Sequence, residues 1–220
     1  MQKSSLILLA LCFLLPLQAQ EKAPVSLDAT LTLVNQNVWR GGYVAGASLQ
    51  PEAIVGVHNW QFSVWGSTDF QAEYKEIDLT VKYLWQDLGI GLTDYWFNRQ
   101  DAPYGKSHSL EANLEYQFRK IPVAVSCNML VAGENHRFSP YTEASYTPEW
   151  KSWKLEFALG FTPWENTMLT TNGFAVTRLS AGVRKPLSVG SSATVESFAG
   201  FTYNPDADAL FWIAGVSVPF

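Results

Sequence analysis

Ala209-Leu210-Phe211-Trp212-Ile213-Ala214-Gly215-Val216-Ser217-Val218-Pro219-Phe220 closes the chain and decides its fold. Counting back in twos from Phe220 meets Val218, Val216, Ala214, Trp212 and Leu210, all apolar. A period of two places these side chains on one face of a strand. Frayed termini are usually polar, so an apolar ladder ending on an aromatic needs an apolar neighbour. A sheet closed into a barrel within a bilayer supplies one, because its outer face must be apolar and it has no free edge. Ser217, Gly215 and Ile213 then face inward.

The same period recurs along the chain. In 108–118, Leu110, Ala112, Leu114, Tyr116 and Phe118 oppose Ser109, Glu111, Asn113, Glu115 and Gln117. In 76–85, Ile77, Leu79, Val81, Tyr83 and Trp85 oppose Asp78, Thr80 and Lys82; in 154–162, Leu155, Phe157, Leu159 and Phe161 oppose Lys154 and Glu156. The first strand sets Val25, Leu27, Ala29, Leu31 and Leu33 against Ser26, Asp28, Thr30 and Thr32. No segment sustains a period of 3.6. About twelve strands are predicted, over 25–39, 48–57, 61–70, 76–85, 88–98, 108–118, 122–132, 141–150, 153–162, 174–185, 192–203 and 210–220. Short connections near 58–60, 86–87, 119–121, 151–152 and 186–191 alternate with longer ones near 40–47, 71–75, 99–107, 133–140, 163–173 and 204–209. The fold class is all-β: a transmembrane antiparallel up-and-down β-barrel with short periplasmic turns and longer extracellular loops.

The start of the chain agrees. Lys3 followed by the apolar run Leu6–Leu17 and the small residue Ala19 reads as a cleaved signal peptide over 1–19, leaving 20–220 as one barrel domain. The run is too short to cross ~30 Å of hydrocarbon as a helix. Cys12 lies inside that run and makes a poor lipidation site. Cys127 then stands alone, without a disulfide partner, as a small apolar residue near Val125 and Met129. The formal net charge is −5, with no basic block to suggest nucleic acid. The expected location is the outer membrane of a Gram-negative cell envelope.

Aromatics gather at strand ends, as expected of rings at two membrane interfaces. Trp60, Trp85, Trp150, Trp153 and Phe220 fall at the short-turn end, and Trp39, Trp96 and Trp164 toward the long loops. Tyr43, Tyr95, Tyr141, Phe174 and Tyr203 join the second belt. Glycines 89, 91, 160, 182, 200 and 215 fall within strands, where barrels use them for bends.

Charges of both signs alternate with the apolar positions: Asp28, Asp78, Lys82, Glu111, Glu115, Glu143, Lys154, Glu156, Arg178, Arg184 and Glu196. An Arg or Lys on the lipid face at mid-depth costs roughly 2–4 kcal/mol, which assigns these charges to the lumen. Folding 163–173 as a hairpin brings Glu156 diagonally near Arg178. A lumen of this kind selects small hydrophilic solutes, or is filled by paired charges and conducts nothing. The bore of about twelve strands lies between filled eight-stranded barrels and open porins.

Asn37-Val38-Trp39-Arg40-Gly41-Gly42-Tyr43, with Leu49-Gln50-Pro51-Glu52-Ala53 after it, and Ser63-Val64-Trp65-Gly66-Ser67 followed by Tyr74-Lys75-Glu76-Ile77-Asp78-Leu79, together resemble the TorF-like porin family of bacterial outer-membrane proteins. Thr93-Asp94-Tyr95-Trp96 fits as well, and the match covers roughly residues 35–98. The closing strand also resembles the C-terminal recognition strand of such proteins, which implies delivery to the barrel-assembly machinery through the Phe220 strand. The resemblance implies a small porin barrel with outer-membrane lipid and small solutes as partners, and it supplies no catalytic residues.

An outer-membrane lipid-modifying enzyme is the rival class. Ser107-His108-Ser109 stands at a loop-side strand start and His136 in the next long loop, but His108 points away from the face shared by Ser107 and Ser109. His58 sits at the opposite end. The histidines lack metal-ligand spacing, and the loop acids Glu134, Asp206 and Asp208 form no oxygen-ligand array. No metal or cofactor is expected.

Overall fold

The computed structural model describes residues 25–97, 108–133, 138–189 and 193–220. The segment 1–19 read as a signal peptide, Ser107, Glu134 and His136 lie outside these residues. Among the described residues fifteen strands form: β1 (Val25–Val34), β2 (Asn37–Trp39), β3 (Gly42–Ala45), β4 (Ser48–Val57), β5 (Trp60–Asp69), β6 (Lys75–Trp85), β7 (Leu88–Phe97) and β8 (His108–Gln117). They continue with β9 (Val123–Gly133), β10 (Pro140–Tyr146), β11 (Glu149–Trp150), β12 (Trp153–Thr162), β13 (Ala175–Val189), β14 (Ala193–Asn204) and β15 (Ala209–Pro219). All but β2 and β3 belong to one antiparallel sheet. It closes because β1 pairs with both β4 and β15, and β10 with both β9 and β12. β10 and β11 are two pieces of one stave, interrupted at Thr147-Pro148. The result is a closed barrel of twelve staves, each hydrogen-bonded to its sequence neighbours, as the alternation implied.

The closing strand behaves as its pattern required. Leu31 faces Val218, Thr32 faces Ser217 and Leu33 faces Val216. The Phe220 N–H donates to the Ala29 carbonyl at 2.9 Å. Leu210, Trp212 and Val216 are exposed, whereas Ser217 is buried with its hydroxyl 2.9 Å from that of Thr32. This inside-out distribution holds around the barrel. Leu27, Phe62, Val64, Leu79, Ile90, Leu114 and Leu159 are exposed, while Ser48, Ser67, Thr93, Glu111, Thr162 and Thr202 are buried. Cys127 is exposed on the apolar face. A protein folded by water does the reverse.

Three short connections are two-residue turns, closed by the pairs Val57–Trp60, Trp85–Leu88 and Trp150–Trp153. Each opens on a non-glycine residue in the left-handed region: His58 at φ 54°, Gln86 at 56° and Lys151 at 58°. An L-residue there pays about 1–2 kcal/mol, and glycine pays nothing comparable but loses more freedom on folding. His58→Gly is therefore expected to stabilise the barrel by about 0.5–1 kcal/mol, read from the midpoint of denaturant unfolding, whereas Lys151→Gly also loses the ammonium above the Trp150 ring and should gain less.

The long connection between β1 and β4 departs from the sequence reading. The first strand was expected to run over 25–39 and be followed by an outer loop over 40–47. Instead β1 ends at Val34, and β2 and β3 form a separate hairpin with Trp39 opposite Gly42. Both central turn residues have positive φ, Arg40 at 51° and Gly41 at 85°, the conformation that a type I′ hairpin turn requires. Trp39 leaves the outer aromatic belt accordingly. Its ring packs edge-on against Tyr95 at 5.7 Å, and Tyr95 is itself buried. Trp60, Trp85, Trp150 and Phe220 are exposed at the short-turn end, with Trp153 beside them under the Lys185 ammonium at 4.8 Å. Trp96 lies at the long-loop end beside His108, and Trp164 donates its indole N–H to the Phe138 carbonyl at 3.1 Å.

Candidate functional site

The hairpin bridges the long-loop mouth of the barrel. At its base, Asn35 exchanges hydrogen bonds with Ala214 of β15, and the Gln36 amide donates to the Trp212 carbonyl. At its tip, the Gly41 carbonyl accepts from the Asn204 amide of β14 at 3.0 Å. Gly41 lies so close to β13 that a Cβ there would stand 1.8 Å from the Thr177 carbonyl oxygen. Thr177 is the extra residue of a bulge, since Gly160 pairs with Arg178 but Phe161 with Val176. Bulges re-aim a strand locally. This one presents the backbone on which the tip rests.

Arg40 projects from the tip to the far wall. Its guanidinium lies 4.3 Å from the Trp39 ring centroid and 4.4 Å from that of Tyr141, held between two aromatic faces. It donates two hydrogen bonds to Glu111, at 2.6 and 2.8 Å. Glu111 is buried, with side-chain exposure of 1%. Its Oε1 also accepts from the Tyr95 hydroxyl at 2.8 Å and the Asn113 amide at 2.8 Å. Four donors thus satisfy one buried carboxylate, the condition under which a buried ion pair is tolerated. A polar ladder continues from Asn113 to Asn128 at 3.0 Å, and through Thr93 to Thr80 at 2.8 and 2.9 Å. Tyr95 and Tyr141, read from the sequence as belt aromatics, both face inward.

Below Arg40 lies a cavity of about 470 Å³. Glu52, Ser63, Lys82, Asn113, Glu115 and Ser126 are among its lining residues. The sequence-assigned lumen charges are mostly drawn into pairs. Lys82 meets Glu115 at 2.8 Å, Arg178 meets Glu143 at 3.0 Å, and Arg184 meets Glu156 at 3.0 Å and Glu196 at 3.3 Å. Asp78 occupies the inward position opposite Trp65, and Asp28 and Lys154 lie toward the short-turn end. None of these three forms an ion pair among the described residues.

The expected diagonal pairing of Glu156 with Arg178 is not the one formed. The register places Glu143, Gly160 and Arg178 in one row across three staves. With no side chain at Gly160, Arg178 reaches over it to Glu143. Tyr141 occupies the rest of that space, since a Cβ on Gly160 would lie 2.0 Å from its hydroxyl. Gly89 does the same for Lys82 on its way to Glu115, with a built Cβ 3.2 Å from the Lys82 Cδ. These glycines clear paths for long side chains.

Arg40, Tyr95, Tyr141 and Glu52 were not picked out as lumen residues in the sequence. The usable signal was Arg40-Gly41-Gly42 as a turn inside a long connection, together with inward alternation of Gln50 and Glu52 on β4. The Ser-His grouping forms no catalytic arrangement among the described residues. Ser109 lies on the inward face, and the His108 ring pairs through Nδ1 with Asp94 at 2.8 Å.

Fold and site define a closed β-barrel with an apolar exterior, a polar interior and a hairpin across one mouth. No family model and no curated protein matches the chain. Among solved structures it is similar to a porin of Rhodopseudomonas blastica, solved as a triple mutant, with a TM-score of 0.40 and 8% identity. That likeness covers 79% of this chain and 55% of the porin, so the chain spans about half the porin's length.

Proposed function

We propose that this chain is an outer-membrane β-barrel of a Gram-negative cell envelope, and that its lumen passes small hydrophilic solutes passively. The observation that carries the reading is the inverted distribution of polarity on a closed sheet. The apolar outer face suits hydrocarbon and the short-turn aromatics suit an interface. The polar cavity suits water and solutes. In this arrangement the short turns face the periplasm, and the hairpin narrows the extracellular mouth. The resemblance of residues 35–98 to TorF-like porins fits the same reading.

The lipid-facing assignment has a direct test in two adjacent residues. Val64 is 44% exposed on the outer face, and Ser63 lines the cavity. In a bilayer Val64→Arg is expected to cost roughly 2–4 kcal/mol, and Ser63→Arg much less. Guanidinium unfolding of the refolded protein in vesicles measures both. Equal, small effects would place Val64 in water and remove the membrane reading.

The channel itself is tested by conductance. Purified, refolded protein in planar bilayers is expected to give discrete, small current steps, and unboiled protein to migrate differently in SDS electrophoresis. The bridging hairpin, locked through Arg40 and Glu111, favours a second reading: a non-conducting barrel that presents its loops to a partner. Persistent absence of current steps from folded protein would select it.

A further inference from the structure

We infer that the lumen prefers cations, and that Glu52 is the specificity-determining side chain. The inference rests on the channel reading above and names the solute class for it. Arg40, Arg178 and Arg184 and Lys82 are each committed to at least one carboxylate. A closely paired charge presents a weak dipole to passing ions, so these cations offer little attraction to an anion. Glu52 is placed differently. It lines the cavity directly beneath the hairpin and is only half-buried. It forms no ion pair among the described residues, and its neighbours across the two strand pairings are Thr30 and Trp65.

Inward positions on β5 and β6 carry no cation except Lys82, which is committed to Glu115, and their acids Asp69 and Glu76 hydrogen-bond within the wall. Asp69 accepts the Tyr74 N–H and Glu76 the Tyr74 hydroxyl. The cations Arg178 and Arg184 stand on β13, half-way round the sheet from β6. The hairpin tip rests on that β13 wall, four staves from the β4 wall that carries Glu52. Lys154 on β12 is the one lumen cation named above without an ion pair, and it lies toward the short-turn end. An uncompensated charge in a water-filled cavity with low-dielectric walls concentrates counter-ions. The solutes favoured are small inorganic cations and small organic ammonium ions.

The test is the reversal potential of the full, refolded protein in planar bilayers under a KCl gradient. One unit charge about 5 Å from the ion path in water attracts K⁺ about fourfold and repels Cl⁻ about as much, so wild type is expected to pass K⁺ over Cl⁻ by roughly fifteenfold at low salt and roughly fivefold near 0.1 M. The preference is expected to shrink as salt screens the charge. Glu52→Gln is expected to remove most of it, and Glu52→Lys to shift it toward anions. Unboiled electrophoresis checks that each variant has folded. If Glu52→Gln does not fold, wild type still decides the cation preference and Glu52→Lys decides the role of Glu52. Current steps with no preference, or with preference for Cl⁻, overturn the inference and leave the channel standing. Cation preference unchanged in both variants overturns the role of Glu52. Complete absence of steps from folded wild type overturns the channel reading and the inference together.

Discussion

Gly41→Ala is expected to unseat the hairpin, lowering stability by roughly 3 kcal/mol and raising single-channel conductance. The added Cβ would stand 1.8 Å from the Thr177 carbonyl oxygen and 2.8 Å from its carbon, both backbone atoms of a wall strand. A flexible side chain could swing away, but this backbone is held by a bulge within the barrel ladder. Overpacking of this kind costs about 1–3 kcal/mol. The φ of 85° adds about 1–2 kcal/mol for any residue with a Cβ. Moving the tip away also loses the Asn204 hydrogen bond and draws Arg40 from between its two rings. Gly42→Ala is the matched control, because its Cβ would meet only the Trp39 carbonyl oxygen, at 3.4 Å. Unfolding midpoints and bilayer conductance of the two variants are the measurements. Identical behaviour would mean that the tip does not dock as described.

The staves were legible because lipid outside and water inside impose a period of two on nearly every strand. Trp212 and Ser217 sit on opposite faces of β15 for that reason alone. The hairpin follows a different logic. Its Arg-Gly turn is a local signal, but whether a long connection turns inward depends on a receiving surface. That surface is assembled from Tyr95, Glu111, Tyr141, Thr177 and Asn204, on five different staves. No window of sequence contains it. The ion pairs were half legible for a similar reason. Alternation assigned Glu143, Arg178, Arg184 and Glu156 to the lumen, but partner choice depended on one register shift at Thr177 and on the empty place at Gly160. A diagonal guess across one hairpin has access to neither.

Removing one member of the Arg40–Glu111 pair is expected to be more damaging than removing both. Side-chain exposure is 10% for Arg40 and 1% for Glu111, so either charge left alone is stranded away from water. Breaking such a pair costs about 3–5 kcal/mol, whereas replacing both partners with apolar groups of similar volume is often neutral or better. Glu111→Leu leaves the guanidinium with its two aromatic faces but no anion. It also removes the acceptor of the Tyr95 hydroxyl and one acceptor of the Asn113 amide. Arg40→Met leaves the carboxylate with those two neutral donors and should cost somewhat less. The double variant Arg40→Met with Glu111→Leu should recover most of the loss, giving a coupling energy of several kcal/mol in a double-mutant cycle. Conductance separates the structural role from the gating one. If the charge pair holds the hairpin across the mouth, Glu111→Leu widens the pore, while the double variant, with apolar contacts still joining tip and wall, stays narrow. Additive stability losses across the cycle would show that Arg40 and Glu111 act independently, and would leave the Gly41 contact as the hairpin's main anchor.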